Sequence, residues 1–116
     1  MKKFTSIHDV KPEDILTVLD RWQKGELNRD DVFCYAEDLY YLDGVGWPQY
    51  SRSEPRAILM AVLQSLSMIY VQPTLVDDVP ALKNLLILGQ KDTISAWEFI
   101  DEYWKSVDWD ERLSTR

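Results

Sequence analysis

Apolar residues recur along most of this chain at spacings of three and four, with polar residues on the opposite side of the same turns. That period belongs to helices with one buried face. It is strongest from Ser53 to Val71, where Ile58, Leu59, Val62, Leu63, Leu66, Ile69 and Tyr70 repeat at helical spacing. Met60, Ala61 and Met68 widen the apolar arc, and no charged residue falls between Arg56 and Asp77. Ser53 is read as the N-cap, with Glu54 and Pro55 in the first turn. Gln64, Ser65, Ser67 and Gln72 interrupt the run and Pro73 closes it, so its uniformly apolar length falls short of the roughly 20 residues a bilayer demands. The segment is therefore expected to be buried in protein.

Around it the same pattern predicts four more helices. The first opens at Pro12-Glu13-Asp14, buries Ile15, Val18, Leu19 and Trp22, and is closed by Gly25. Asn28 caps the second, which turns Val32, Tyr35, Ala36, Leu39 and Leu42 inward. Its outer side gathers Asp30, Cys34, Glu37 and Tyr41, flanked by Asp31 and Asp38. Residues 43–51 contain two glycines and a proline and are read as a loop that displays Trp47 and Tyr50. The next helix is capped by Asp77 or Asp78, carries Pro80 in its first turn, buries Leu82, Leu85, Leu86 and Leu88, and is expected to end at Gly89. Asp92 caps the last, in which Ile94, Trp97, Ile100, Trp104 and Val107 face inward and Phe99 and Tyr103 widen the arc.

Residues 1–11 are expected to form a less ordered N-terminal arm. Residues 108–116 are read as a tail with only Trp109 and Leu113 to anchor it, making one short turn before fraying. No stretch alternates in the manner of a strand. The expected fold class is all-α, a single-domain bundle over residues 1–116 with about five helices around a central apolar helix (about 53–71).

Composition narrows the function. A formal charge of −7 surrounds the protein with a negative field that repels phosphate backbones and attracts basic surfaces, so a direct nucleic-acid ligand is not expected. The single cysteine, Cys34, allows no internal disulfide, and the first residues do not resemble a secretory signal. A cytoplasmic location without membrane association is expected. Catalytic signatures are missing. The only histidine, His8, sits in the arm and gives Cys34 a thin case for an activated thiolate. Zinc needs about four N or S ligands and the chain offers two such residues. Asp77-Asp78 reads as capping, and Asp108, Asp110 and Glu111 lack the glycine-bearing spacing of a calcium loop. No phosphate-binding glycine pattern occurs. Neither enzymatic activity nor a metal or cofactor is expected, although two carboxylates in a bundle cleft could in principle work as acid and base.

What remains is surface chemistry suited to another protein. Asp30, Asp31, Glu37, Asp38 and Tyr41 on the second helix, and Asp43, Trp47 and Tyr50 in the loop, combine negative charge with aromatic anchors. They are the candidate partner-binding residues. The sequence Leu19-Asp20-Arg21-Trp22-Gln23-Lys24-Gly25-Glu26-Leu27, then Ala36-Glu37-Asp38-Leu39, Pro55 opening the Ile58–Leu66 repeat, Val79-Pro80-Ala81-Leu82, and Trp97 to Trp104 resembles small acidic helical immunity proteins. These accompany bacterial polymorphic toxins, including contact-dependent growth inhibition systems. The resemblance implies a cytoplasmic protein that binds and blocks one cognate toxin C-terminal domain, often a basic nuclease. Such proteins diverge most where they bind, so it implies no particular interface residue. The competing expectation is an acidic adaptor or regulatory subunit that uses the same surface on a cytoplasmic protein.

Overall fold

The computed structural model describes residues 3–44 and 46–115, and their regular structure is helical throughout. Six α-helices follow in order: α1 Pro12–Gln23, α2 Arg29–Tyr40, α3 Pro55–Ser67, α4 Val79–Lys91, α5 Thr93–Lys105 and α6 Trp109–Thr115. Short 3₁₀ turns precede α1 (Ile7–Asp9) and α4 (Val76–Asp78). The Cα radius of gyration is 13.7 Å, close to the ~13 Å expected of one compact domain of about 100 residues.

The caps explain most boundaries. Asn28 and Asp31 exchange side-chain-to-backbone hydrogen bonds of 2.8 and 2.9 Å at the start of α2, satisfying two amides that helix formation leaves unpaired. Asp92 accepts from the Ser95 N–H and hydroxyl at the start of α5, and those bonds hold its carboxyl below the usual range. Gly25, at φ +80°, ends α1. Its amide reaches the Trp22 carbonyl and the Glu26 amide reaches the Arg21 carbonyl, the two bonds of a Schellman closure.

Helix α3 is as buried as its pattern requires, with Ile58, Leu59, Val62, Leu63 and Leu66 at 1% exposure or less. It shares the centre with α4, however. Helix α3 packs against α2, α4 and α5, while α4 packs against α1, α3 and α5. The close approach of the two central helices depends on Gly89. A Cβ built there would meet Ile58 at 2.9 Å (Cδ1), 3.0 Å (Cγ2) and 3.3 Å (Cβ). The expectation that Gly89 ends its helix is thus corrected: α4 continues to Lys91, and the glycine serves packing within it.

Three other expectations are also corrected. Helix α3 stops at Ser67, and residues 68–71 are a turn that still buries Ile69. Pro73 restricts the residue before it to extended backbone, and Thr74 donates to the Ser65 carbonyl (3.1 Å), folding the connection back over the last turn. Ser53 does not cap α3. The N-cap is Glu54, whose carboxylate instead accepts the Ser51 N–H at 2.9 Å. Ile94, read as a core position, is 71% exposed on the first turn of α5.

The first and last described segments are both tied down. In the arm, Ile7 and Val10 are buried, and the Arg56 guanidinium donates to both of their carbonyls. The stretch read as a fraying tail forms the two-turn helix α6. Its anchors are Trp109, which donates to the Trp104 carbonyl at 3.2 Å, and Arg112, whereas Leu113 is exposed.

Candidate functional site

An open groove of ≈ 940 Å³ lies between the end of α2, the 43–51 loop and the outer face of α3. Ala57, Met60, Ala61, Gln64 and Met68 form its floor at successive helical spacings along α3. Tyr40, Tyr41, Trp47 and Tyr50 wall one side, and Trp97 of α5 stands at the start of α3 with Arg52.

Local structure sets these walls. Gly44 and Gly46 adopt φ of +125° and +109°, a backbone region that side chains rarely enter, and this reverses the chain just after α2. Trp47 is thereby brought edge-on to Tyr40 at 5.3 Å, while Tyr41 meets the same ring at 4.9 Å. Tyr50 is positioned by the arm: its hydroxyl lies 2.8 Å from His8 Nδ1, and the Arg56 guanidinium sits 5.7 Å from its ring centre. The Trp97 indole donates to the Arg52 carbonyl at 2.8 Å, and the Arg52 guanidinium lies over that indole at 4.1 Å. Edge-to-face aromatic and cation–π pairs of this type restrict ring motion, which lowers the cost of ordering the surface when something binds.

The eight candidate residues separate into groups. Glu37, Tyr41, Trp47 and Tyr50 converge on the groove. Tyr41 is 58% exposed, and among the described residues nothing pairs with the Glu37 carboxylate. Asp31 and Asp38 face a second, smaller cavity of ≈ 540 Å³ on the other side of α2, with Phe4, Leu27 and Cys34. Asp31 is occupied as a helix cap. Asp30 accepts from the Tyr70 hydroxyl, which pushes the tyrosine's pKa up. Asp43 accepts from the Ser6 hydroxyl (2.9 Å) and the Ile7 N–H (2.8 Å), so it fastens the arm. The acidic stripe is therefore not one surface. His8 is engaged with Tyr50, and Cys34 lines the other cavity, so the two are not brought together.

Sequence reasoning missed Arg52, Met60, Gln64, Met68 and Trp97 as groove residues. A signal was present for the floor: Gln64 is a polar break in a mostly apolar helix, and Ala61 and Ala57 are small residues one and two turns before it.

A second polar cluster was also missed, and it is structural. Asp78 is 0% exposed and receives a bidentate Arg112 guanidinium at 2.7 and 2.8 Å, the Leu75 N–H at 2.8 Å and the Tyr103 hydroxyl. Burial alone would raise its pKa, but the bonds from Arg112, Tyr103 and Leu75 outweigh that and hold it below the ordinary 3.8. Burial, followed by the Asp78 contact, pushes Tyr103 up to about 12. Every oxygen of this carboxylate is engaged, which suits a fixed ion pair and leaves no lone pair aimed at a substrate. Among the described residues, no group of three or more histidine, cysteine, aspartate or glutamate side chains is placed to hold a metal ion. None of their helices is long and apolar enough to cross a membrane. No protein-family model, no curated protein and no solved structure matches the chain.

Proposed function

We propose that this protein is an immunity protein that neutralises a cognate toxin C-terminal domain, with the α2–α3 groove as its contact surface. The observation that carries the reading is the convergence of Glu37, Tyr41, Trp47 and Tyr50 on one open groove, in a chain of net charge −7. Rigid aromatics supply buried contact area at low entropic cost, which is why such residues dominate binding energy at interfaces. The surplus negative charge draws a basic partner by long-range attraction, with association rates on the order of 10⁸ M⁻¹s⁻¹ at low salt.

The test is to produce the protein with the toxin domain encoded beside it and measure association across a salt series. Inhibition of the toxin's activity, an association rate that falls steeply with salt, and loss of affinity in Trp47→Ala are expected. A neighbouring domain that neither binds nor loses activity would overturn the inhibitor reading. Binding to a cytoplasmic enzyme in its place would assign the acidic surface to an adaptor.

A further inference from the structure

The floor of the groove constrains what it can accept. Helix α3 packs against α2, α4 and α5, and Ala57, Ala61, Gln64 and Met68 line the open groove, which no helix closes among the described residues. These residues are spaced by four, three and four, so they form a row of the kind into which the side chains of another helix interdigitate. Two alanines in that row leave room for a second backbone to come close. Met68 adds an unbranched, half-buried side chain that adapts to an irregular apolar surface, with the buried Met60 beneath the row.

The charges are set apart along the groove. Arg29 Nη2 donates to the Ile69 carbonyl at 3.0 Å and the Phe33 ring meets Tyr70 at 4.9 Å, so the beginning of α2 lies at the end of α3 and the two run antiparallel. Glu37, eight residues into α2 and a turn before Tyr41, consequently lies level with the middle of α3, while Arg52 stands just ahead of Pro55 at its start. The Glu37 carboxylate is unpaired among the described residues. Arg52, 68% exposed, reaches Asp101 only at 3.9 Å, a separation at which an exposed pair contributes little.

We propose that the groove seats an amphipathic helix of the partner protein, laid along α3. Its apolar residues at i, i+3, i+4 and i+7 pack on the alanine and methionine floor, and it carries a lysine or arginine toward Glu37 and an acidic residue toward Arg52. The proposal rests on the reading of this groove as the partner site. Strand addition is disfavoured because it needs an exposed sheet edge, and the described residues hold no strand. A proline-rich segment would use the aromatic wall and leave the helical row of the floor without a matching ridge.

The probe is a synthetic peptide of roughly 18 residues, five helical turns, with a leucine stripe and the stated flanking charges. Binding is read from the tryptophan fluorescence of the full chain, and folding of the peptide from far-UV circular dichroism. The striped peptide should bind at least about tenfold more tightly than the same residues scrambled out of helical register, and should gain helicity when bound. Exchanging its flanking charges should weaken it about tenfold in the native protein and strengthen it in Glu37→Lys. Gln64→Arg, at an exposed position, should abolish binding without changing the melting curve, and Ala61→Arg should do the same. Equal binding by the scrambled or a proline-rich peptide, or undiminished binding in both folded arginine variants, would overturn the helical occupant. A toxin domain that binds while the striped peptide does not would overturn the helix and spare the inhibitor reading. A bound peptide beside an uninhibited toxin domain would do the reverse.

Discussion

Replacing Arg112 by methionine tests how the end of the chain is held to the bundle. The variant keeps most of the aliphatic stem and removes the guanidinium that donates twice to Asp78 and once to the Pro73 carbonyl (3.0 Å). The Asp78 carboxylate would remain, with no exposed surface, on the Tyr103 hydroxyl and one backbone N–H. Removing one member of a buried ion pair typically costs ~3–5 kcal/mol, because the other charge is left in a poorly solvating site. Arg112 itself is 15% exposed, and α6 can detach to let water reach Asp78, so the lower end of that range, about 3 kcal/mol, is expected. A chain of this size has on the order of 6–17 kcal/mol of stability in total, and a loss of 3 should lower the Tm by about 12 °C.

Urea denaturation followed by tryptophan fluorescence at a series of pH values gives both the magnitude and its cause. The folded Asp78 pKa lies below the ordinary 3.8. Its contribution is therefore fully present above that value and is lost as pH falls through the folded one. In the variant the unpaired carboxylate favours its protonated form. The stability gap between native protein and variant should be widest near neutrality and should narrow below pH ~4. A loss under about 1 kcal/mol at neutral pH, or a gap that stays constant into acid, would refute the assignment of this pair as the tether of α6.

Three further outcomes follow from the geometry. Gly89→Ala should destabilise by about 1 kcal/mol despite the better helix propensity of alanine, since the buried Ile58 cannot withdraw its Cβ and Cγ2; thermal melts should show part of the loss restored by Ile58→Val, which removes the nearest carbon. Asp43→Ala should cost about 1 kcal/mol by releasing Ser6 and Ile7, with faster amide exchange over residues 5–10 as the direct readout. Ultraviolet titration should find two tyrosines ionising near pH 12, Tyr35 through burial and then the Asp14 charge, and Tyr103 through burial and then Asp78. Both folded values exceed the ordinary 10.0, so the stability these phenols contribute is complete below pH 10 and is lost as pH rises through about 12.

The helical architecture is legible in the sequence because it rests on periodicity and on caps that act within four residues. Asn28, Asp92 and Gly25 mark the ends they were read as marking. Features set by distant parts of the chain were not legible. Gly89 has the local signature of a stop, and only the approach of Ile58 from α3 explains it inside a helix. Asp78 and Arg112 are 34 positions apart, and nothing near either one names the other. The site was half legible for the same reason. Glu37, Tyr41, Trp47 and Tyr50 come together because a short reversal joins their elements, whereas Trp97 joins them from α5. Asp31 carried a readable warning, since an aspartate three residues after Asn28 is placed to close a capping box. Asp30 and Asp43 gave none, their partners Tyr70 and Ser6 being 40 and 37 residues away.

The Asp78 ion pair also imposes an order on assembly. Translation delivers the carboxylate 34 residues ahead of the guanidinium that neutralises it, and until then the acid keeps its hydration shell. Dehydration of that corner is complete only with Arg112 in place, so the bases of α4 and α5 and the helix α6 are coupled through one carboxylate.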